Sequence, residues 1–300
     1  MPIALLQPPS LIDYIARGNS ENLISSKSFT SARAKTEKLL SIVTVVFNGN
    51  DILEKTIRSV LQQDYSNIEY VIVDGGSNDG TLEIIKKYES QIKWISEPDR
   101  GISDAMNKGI ALTRGSLIGI IHADDWYEEN IFAQVMKLHV SNPIAIIHGN
   151  LRYWKGESPY YTAVANEKKM LEHMTIHHPT MFVPRSVYES TGLYRTDFKY
   201  AMDHEWAMRA KLHQCEFYYL QSVIANMMSD GVSDKNWLKA YRESALARSM
   251  LNLPTSFNIR ITITSVVKTG IRRLLEIIGF KNVVGWYRNR FSLIKKSHLD

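Results

Sequence analysis

Two adjacent aspartates, Asp124 and Asp125, follow a short apolar run within the segment SLIGIIHADDWYEE, residues 116–129. An apolar run of this length is typical of a β-strand that is buried on both faces. Two carboxylates at the end of such a strand are costly to hold together unless a cation lies between them. The cation that suits such hard oxygen ligands is a divalent metal. The pair therefore predicts a site for a metal ion and a phosphate ester, and the simpler alternative is that Asp125 or Glu128 caps the following helix.

Other aspartates end separate segments of the chain. Asp74 ends the apolar run 68–74, and Asp99 follows a short run at 93–96. Because ligands bind beyond the carboxyl ends of the strands in open α/β sheets, we expect these carboxylates to converge with the aspartate pair. Glycines follow Asp74 at positions 75, 76 and 80, but they do not form the GxGxxG pattern of dinucleotide-binding dehydrogenases.

Apolar runs alternate with helical periodicity from residue 39 to about residue 150. This alternation predicts βαβ units and a mostly parallel central sheet with flanking helices. The predicted strands are 41–47, 68–74, 93–96, 117–121 and 144–148. The predicted helices are 52–61, 82–88, 102–113 (with Ser103 as cap) and 131–138. An antiparallel excursion near 153–161 is predicted next, then a strand at 175–183, a helix at 203–213, a strand at 216–220 and a helix through residue 250.

The positive charge is concentrated at the C-terminal end. The net charge is +5, whereas residues 259–300 alone carry nine basic and two acidic side chains, or +7. A nearly neutral body argues against a nucleic-acid partner, and a basic tail indicates an anionic one. Apolar side chains of 266–278 share one helical face and basic side chains lie opposite, which predicts a basic amphipathic helix. That helix either docks on the body with its charged face in solvent or contacts an anionic membrane surface.

Five segments resemble, in the same order, those of family 2 glycosyltransferases with the GT-A fold. They are VTVVFNGN, VIVDGGSNDGT, EPDRGISDAMNKGIAL, GIIHADD and YAMDHEWAMR, spread over residues 41–233. The subgroup that the chain looks like extends bacterial surface polysaccharides. The resemblance implies an α/β nucleotide-diphospho-sugar transferase fold, a nucleotide-diphosphate sugar donor, Mg²⁺ or Mn²⁺, and a saccharide or lipid-linked acceptor. It also implies inversion at the anomeric carbon by a single displacement.

The resemblance carries over to individual positions. It implies Asp125 as the metal ligand, Asp203 as the general base that deprotonates the acceptor hydroxyl, and His178 as a residue lining the acceptor side. The donor-contacting residues that it implies are Phe47, Asn48, Asp74, Arg100, Asp104, Asn107 and Asp124. Many relatives carry a second aspartate where this chain has Gly75, so the base of the donor, uracil or guanine, stays open.

The residues themselves leave simpler roles open at several of these positions. Asp203 could cap a helix, since Asp favours that position, and His178 could serve packing alone. Arg209 faces phosphate or pairs with Glu205 four residues earlier. His122 is expected on the opposite face of its strand, away from the metal. A base with a pKa of about 4 can act at Asp203, because it need only accept the proton late in the step, and a raised pKa from partial burial would help.

The same pattern divides the chain into an N-terminal extension, a catalytic domain and a basic tail. The extension covers 1–38 and is expected to be partly mobile. The catalytic domain covers 39–233, with a nucleotide-binding half at 39–126 and an acceptor half at 127–233, and the helical basic extension covers 234–300. One cysteine, Cys215, excludes an intrachain disulfide and fits a reducing compartment. With no signal-peptide pattern and no apolar run of membrane-spanning length, we expect a cytoplasmic protein, free or peripheral on the inner face of the plasma membrane.

Two other classes of function compete with sugar transfer. A nucleotidyltransferase also combines a βα nucleotide half with metal-binding carboxylates, but it needs a basic glycine-rich loop, and residues 47–50 contain no Lys or Arg. A non-catalytic assembly subunit would use the tail as an anchor, and the presence of Asp125 and Asp203 speaks against it.

Overall fold

The structure is a computed structural model, and it describes residues 8–17, 24–25, 38–229, 236–278 and 296–297. Most of the predicted N-terminal extension, and the tail between residues 279 and 295, lie outside the described residues. The strands are β1 (Ile24–Ser25), β2 (Leu40–Val46), β3 (Ile68–Asp74), β4 (Lys93–Ser96), β5 (Leu117–His122), β6 (Trp126–Tyr127), β7 (Ile146–Lys155), β8 (Ser158–Ala163), β9 (Phe182–Pro184), β10 (Phe217–Met228) and β11 (Lys296–Ser297). The α-helices are α1 (Leu11–Arg17), α2 (Leu53–Leu61), α3 (Thr81–Lys87), α4 (Ile102–Leu112), α5 (Phe132–Ser141), α6 (Arg185–Thr191), α7 (Met202–Leu212), α8 (Trp237–Met250) and α9 (Thr255–Ile277).

One mixed sheet runs through the molecule in the order β1-β4-β3-β2-β5-β9-β7-β10-β6, and β8 pairs with β7 and β11. Strands β4, β3, β2 and β5 are mutually parallel, as the alternation of strands and helices predicts. In the second half of the chain β7 and β10 are parallel, whereas β9 and β8 run antiparallel to their neighbours. The predicted parallel arrangement therefore describes the first half, and the predicted antiparallel excursion is the β7–β8 hairpin.

The register of the parallel strands brings their carboxyl ends to one edge of the sheet. Val46 at the end of β2 lies opposite Asp74 of β3, and Asp74 lies opposite Ser96 of β4. On the other side of β2, Val45 lies opposite His122 at the end of β5. The apolar residues of β2 and β3 are buried, which is why the strands read as continuous β-branched runs. The loops that follow these four strands therefore emerge together, as the sequence predicts.

Helix α4 packs closely on β2 through a glycine. A Cβ atom built at Gly109 would overlap the side chain of Val43 in β2. Overpacking of this kind costs about 1 to 3 kcal/mol, while Ala gains about 0.5 to 1 kcal/mol over Gly inside a helix. We therefore expect Gly109→Ala to lower the free energy of unfolding by about 1 kcal/mol, measured by urea denaturation.

The matched control for that change is Gly270→Ala in α9, where an added Cβ meets no atom within 4 Å. There the helical preference of Ala acts alone, so the control variant is expected to be slightly more stable than the native chain. Equal stabilisation by both changes would contradict the close contact of α4 with β2.

Two local predictions are wrong. Residues 175–183 do not form one strand, because a short 3₁₀ helix, His178–Thr180, precedes β9. Pro179 lacks a backbone N–H and fixes its own φ angle, so it interrupts a strand. Ser103 does not cap α4, which begins after Gly101, and the Ser103 hydroxyl faces the carbonyl oxygen of Phe198 at 3.5 Å.

The C-terminal helix α9 confirms the predicted amphipathic pattern and extends it toward the N-terminus. Its apolar side faces solvent within the part of the chain that the structure describes. The exposed apolar stripe consists of Ile259, Ile263, Val267, Ile271, Leu274 and Ile278. The opposite side packs on α8, where Arg248 donates to Asn258 at 2.8 Å and the guanidinium of Arg273 lies 5.6 Å from the Trp237 ring. The alternative of a helix docked by its apolar face, with its charges in solvent, is therefore wrong.

Among the described residues, no helix combines the length and the hydropathy that a membrane crossing requires.

Candidate active site

A cavity of about 800 Å³ opens at the carboxyl ends of β2 and β5. Three aspartates line it, namely Asp99 after β4, Asp124 after β5 and Asp203 at the start of α7. The segment 177–178 forms one wall between the two halves of the chain. Helix α8 contributes Tyr241, Ser244 and Arg248 to the lining. The cavity, called the cleft below, therefore combines residues that the sequence places in the nucleotide-binding half and in the acceptor half.

The aspartate pair lies in a tight turn after β5. The Asp125 N–H donates to the His122 carbonyl at 3.1 Å, and the Thr56 hydroxyl lies 2.6 Å from the Asp125 carbonyl oxygen. The turn leaves Asp124 exposed on the cleft and Asp125 fully buried. Neither residue caps a helix, since α5 begins at Phe132.

The carboxylate of Asp125 has no hydrogen-bond partner on either oxygen among the described residues. Burial, and to a lesser degree the neighbouring charge of Asp124, raises the pKa of Asp125 well above its ordinary value. A buried carboxylate without a partner is costly, and either a proton or a cation removes that cost. Of the two aspartates, Asp125 is therefore the one whose carboxylate requires a bound proton or cation.

Two histidines lie beside Asp125, one from each side of the cleft floor. One ligand atom each from His122, Asp125 and His178 lies within 4.8 Å of the others. The ring centroids of His122 and His178 are 4.2 Å apart. The expectation that His122 points away from the metal position is wrong, because β5 ends at His122 and the turn that follows breaks the strict alternation of faces.

Asp203 faces the cleft from the first turn of α7. The helix begins at Met202 with Ala201 at the N-cap position, so the capping alternative for Asp203 does not hold. Its Oδ1 accepts a hydrogen bond from the His204 N–H at 2.8 Å, and its Oδ2 lies 3.8 Å from His178 Nδ1. The side chain remains one-quarter exposed (25%), which leaves room for a second molecule to approach.

The pKa of Asp203 lies below its ordinary value rather than above it. Burial raises the pKa, but the interactions with His178 and with the His204 N–H together outweigh burial. Partial burial therefore does not raise the pKa here on balance. Asp203 is a carboxylate at neutral pH and can accept a proton without first losing one.

The donor side of the cleft begins with the loop after β2. Phe47 is 64% exposed and lines the cleft, so its ring is available for stacking. Asn48 has a left-handed backbone with φ of 52°, a conformation that Asn tolerates better than most residues. Its N–H donates to the Ser77 hydroxyl at 2.7 Å and its Oδ1 accepts from the Asn78 N–H at 3.1 Å. Asn48 therefore joins the loops after β2 and β3 and is not among the residues lining the cleft.

Asp74 does not reach the cleft. It is fully buried, and its carboxylate accepts hydrogen bonds from the Gly76 N–H at 3.1 Å, the Ser77 N–H at 3.0 Å and the Ser96 hydroxyl at 2.6 Å. The Ser77 hydroxyl donates to its other oxygen. The carboxylate thus shapes the glycine-containing loop after β3, and Asp74, which the resemblance places at the nucleoside, is not among the residues that line the cleft.

The resemblance implies donor contacts for Arg100, Asp104 and Asn107, which lie in α4 or just before it. Arg100 is exposed, whereas Asp104 and Asn107 are buried and hold other parts of the chain. Asp104 accepts from Arg100 Nη2 at 3.0 Å and from the Tyr14 hydroxyl at 2.7 Å, and it is buried. Asn107 is buried and exchanges two hydrogen bonds with the backbone of Tyr194, at 2.8 and 2.9 Å. Only the Arg100 side chain is exposed, next to cleft-lining Asp99 and Gly101.

The guanidinium of Arg209 forms an ion pair and hydrogen bonds with other residues of the chain. Its guanidinium pairs with Glu205 at 2.9 Å, and both side chains are buried. It also donates to the backbone carbonyls of Thr191 and Leu193. The ion-pair alternative is therefore confirmed, and Arg209 has no donor left that points into the cleft.

The sequence predicts that Asp99 converges on this edge of the sheet, but Asp99 was not among the residues that were given a role in the site. A Cβ atom at Gly75 would lie 2.6 Å from Asp99 Oδ2, so the Asp99 carboxylate fills the space that a side chain at position 75 would need. Its other oxygen accepts from the Gly101 N–H at 2.7 Å. The signal was the glycine at position 75 together with an aspartate just beyond β4.

Comparison with known proteins identifies relatives of the part of the chain that carries the aspartates of the cleft. Residues 41–215 match the profile described as Glycosyl transferase family 2. A glycosyltransferase of Mycobacterium tuberculosis (strain CDC 1551 / Oshkosh), described as uncharacterized, is 31% identical over 204 residues, 64% of this chain and 76% of that protein. A PGL/p-HBAD biosynthesis glycosyltransferase of Mycobacterium bovis (strain BCG / Pasteur 1173P2) is 24% identical over 84% of this chain and 98% of that protein.

Solved structures share the fold at lower identity. Staphylococcus aureus TarS (residues 1–349) aligns with a TM-score of 0.58 and 15% identity, covering 85% of this chain and 76% of that one. The mannosyltransferase PcManGT from Pyrobaculum calidifontis aligns with a TM-score of 0.54 and 13% identity, covering 93% and 88%. The architecture is that of GT-A transferases, as the sequence predicts.

Proposed function

The chain belongs to glycosyl transferase family 2 and is a glycosyltransferase, and we propose that it transfers a sugar from a nucleotide-diphosphate sugar to a hydroxyl of a saccharide or lipid-linked saccharide, with inversion. The observation that carries this proposal is the position of Asp203. The ionised carboxylate of Asp203, in the half of the chain that would bind the acceptor, lines the same cleft as Asp99, Asp124 and an exposed aromatic ring. A weakly acidic hydroxyl needs such a positioned base in order to attack.

The donor would lie along the loops after β2, β4 and β5. Phe47 would stack on the base, and Asp99 would accept a hydrogen bond from it in place of the carboxylate missing at Gly75. Arg100 would face the diphosphate, and Asp124 the ribose or the sugar. Asp74, Asn48, Asp104 and Asn107 would act by holding these loops. The solved complexes of TarS with UDP and UDP-GlcNAc and of PcManGT with GDP-Man and Mn²⁺ support a nucleotide-sugar donor and leave both bases open.

A divalent metal, Mg²⁺ or Mn²⁺, fits the residues present on the cleft floor. Asp125 supplies a buried carboxylate whose two oxygens have no hydrogen-bond partner in the described part of the chain, which supports its role as a metal ligand. When bound, the metal would supply positive charge that stabilises the diphosphate as it leaves.

The chemical step that these residues support is a direct displacement. Asp203 removes the proton from the acceptor hydroxyl as its oxygen forms a bond to the anomeric carbon. The bond from that carbon to the diphosphate oxygen breaks, and the nucleoside diphosphate departs with the electron pair. Asp203 holds the proton until solvent removes it. His178, 3.8 Å from Asp203, would line the acceptor side and keep the carboxylate ionised.

The proposal of a lipid-linked acceptor is supported by a second surface, the exposed apolar stripe of α9. Arg260 and Lys268 belong to the same helix, and residues 259–300 carry the basic excess of the chain. An apolar stripe flanked by basic residues suits the interface of an anionic membrane. This supports peripheral attachment to the inner face of the plasma membrane and a lipid-linked acceptor in polysaccharide or glycolipid biosynthesis.

A panel of UDP- and GDP-sugars with Mn²⁺ or Mg²⁺ tests the proposal, read as release of nucleoside diphosphate with and without saccharide acceptors. Release from at least one donor is expected. Pyrophosphate release from a nucleoside triphosphate would instead indicate a nucleotidyltransferase, and failure of every donor to bind would indicate a non-catalytic assembly subunit.

Replacement of Asp99 tests the proposed contact with the base. Asp99→Ala removes a charged hydrogen-bond acceptor, which costs about 1.5 to 3 kcal/mol. We expect the KM for the donor to rise about tenfold or more with kcat nearly unchanged, since the contact is made equally in the ground and transition states. The control is Glu83→Ala, which removes an exposed carboxylate from α3. Equal donor KM values for the Asp99 variant and the native enzyme would remove Asp99 from the base site.

A further inference from the structure

We propose that His122 and His178 complete a metal site with Asp125, and that these nitrogen ligands make the site selective for a transition-metal ion over Mg²⁺. The inference rests on the proposed function only for the role of the metal. The binding site itself is argued from the cluster of side chains on the cleft floor.

The first argument is the convergence of unpartnered polar atoms. Nε2 of His122, Nε2 of His178 and both carboxylate oxygens of Asp125 are buried, and none has a hydrogen-bond partner among the described residues. A buried polar atom left without a partner costs about 1 to 3 kcal/mol. Four such atoms on three neighbouring side chains indicate that the cluster is built around an occupant.

The second argument concerns what that occupant is. A proton on Asp125 would serve one oxygen and leave the two imidazoles unpaired. A cation can serve all three side chains together, because one ligand atom from each lies within 4.8 Å of the others. Metal–nitrogen and metal–oxygen bonds of about 2.0 to 2.2 Å place ligand atoms about 3 to 4 Å apart, so a small inward movement closes the site.

The third argument concerns which cation. Mg²⁺ prefers near-ideal octahedral oxygen coordination and keeps several waters. Imidazole nitrogen suits Zn²⁺ and the copper, iron and nickel ions, whereas carboxylate and water ligands suit Mg²⁺; among the first-row divalent ions Mn²⁺ binds such sites most weakly, so it serves as a spectroscopic probe of the site. Two imidazoles and one carboxylate therefore form a mixed nitrogen and oxygen site that disfavours Mg²⁺.

The fourth argument is that the site opens toward the donor. His122, His178 and Asp124 all line the cleft, whereas Asp125 lies beneath it. An ion held by the two histidines and Asp125 would keep its remaining coordination positions on the cleft side. A diphosphate could occupy those positions, which gives the buried site a direct connection to the proposed chemistry.

Pulsed electron paramagnetic resonance of bound Mn²⁺ tests the inference without any turnover. The full chain would be stripped with a chelator, loaded with Mn²⁺ and examined for ¹⁴N modulation from coordinated imidazole. We expect ¹⁴N modulation in the native protein, weaker modulation in His122→Asn and in His178→Asn, and none in the double variant. Each single variant is expected to bind Mn²⁺ at least about tenfold more weakly, and excess Mg²⁺ is expected to displace Mn²⁺ poorly from the native protein.

The matched control is His148→Asn. His148 is also buried with both ring nitrogens unpartnered among the described residues, but it lies beside Phe217 and Tyr219, outside the cluster. This variant is expected to leave the Mn²⁺ spectrum unchanged. Absence of ¹⁴N modulation in the native protein would overturn the inference by itself, even if a cluster variant failed to fold. Unchanged Mn²⁺ affinity in both folded single variants would also overturn it.

The inference and the proposed function fail in different ways. Metal-dependent sugar transfer with no ¹⁴N modulation would overturn the histidine ligands and leave the proposed function standing. Histidine-bound Mn²⁺ in a protein that uses no nucleotide sugar would keep the site and overturn the proposed function.

Discussion

Replacing Asp203 by asparagine is expected to lower kcat by about 10²- to 10⁴-fold, the usual range for a general base. Asparagine keeps the size of the side chain and can still accept from the His204 N–H, but it cannot take the acceptor proton. Donor affinity, measured by calorimetry with the nucleotide sugar and metal, is expected to stay within about twofold, because Asp203 is proposed to contact the acceptor hydroxyl and not the donor. The loss should therefore be confined to turnover.

The control for this variant is Asp197→Asn, a more exposed carboxylate paired with Arg195 a few residues before α7. It is expected to turn over at the native rate. Full turnover in the Asp203 variant would remove Asp203 as the base, and a loss of donor binding equal to the loss of rate would place it on the donor side instead.

The pH dependence of the native enzyme follows from the same carboxylate. Because the pKa of Asp203 lies below the ordinary value of an aspartate, its ionised form persists to more acidic pH than that of a free aspartate. The fall in kcat/KM on the acid side that belongs to Asp203 is therefore expected at a pH below the ordinary pKa of an aspartate. A fall that begins near neutral pH must come from another group, and it should persist in variants that retain residual activity without Asp203.

Replacing Asp125 by asparagine is expected to remove metal-dependent donor binding. The variant loses the negative charge that would hold the ion, so kcat/KM should fall by about 10³-fold or more, as when a preorganised electrostatic contact is removed. In the metal-free protein the same change removes a buried carboxylate that has no hydrogen-bond partner within the residues that the structure describes. The metal-free variant is therefore expected to unfold at a temperature at least as high as the metal-free native protein.

Loss of activity without loss of stability distinguishes this role of Asp125 from a structural one. Thermal unfolding with and without Mn²⁺ measures it, and the native protein alone should gain stability from the ion. Native-level sugar transfer by the Asp125 variant would contradict the account of the metal. A large drop in the stability of the metal-free variant would indicate that Asp125 serves the fold.

Much of the scaffold follows from patterns in the chain. The β-branched runs of β3 and β4 predict both strands with their observed bounds, because each run is flanked by polar residues. Parallel pairing then explains why loops from β2, β3, β4 and β5 meet at one edge. The sequence therefore correctly predicts that the aspartates of three loops lie at the same edge of the sheet.

The roles of individual side chains at that edge were less predictable, since they depend on where hydrogen bonds go. Asp74 ends β3 and Asp99 follows β4, yet the Asp74 carboxylate accepts hydrogen bonds from its own loop, whereas Asp99 lines the cleft. The turn after β5 reverses the expected orientation of His122. Tyr14 supports Asp104 from a helix in the N-terminal segment that sequence reasoning placed in a partly mobile extension. Such contacts join residues far apart in the chain, and periodicity does not report them.

The orientation of α9 is a further example. Its amphipathic pattern is visible in the sequence, but the pattern alone does not say which side meets the body. Helix α8 presents Arg248 and Trp237, and these pair with Asn258 and Arg273 of α9, so the polar side docks and the apolar stripe faces outward.

The stereochemistry of the product tests the central claim most directly, namely that Asp203 activates a hydroxyl for a single displacement at the anomeric carbon. Once the donor is known, proton NMR can follow the first minutes of transfer, or of hydrolysis with water as acceptor. The account predicts that the initial product has the anomeric configuration opposite to that of the donor sugar. An initial product that retains the donor's configuration would contradict it.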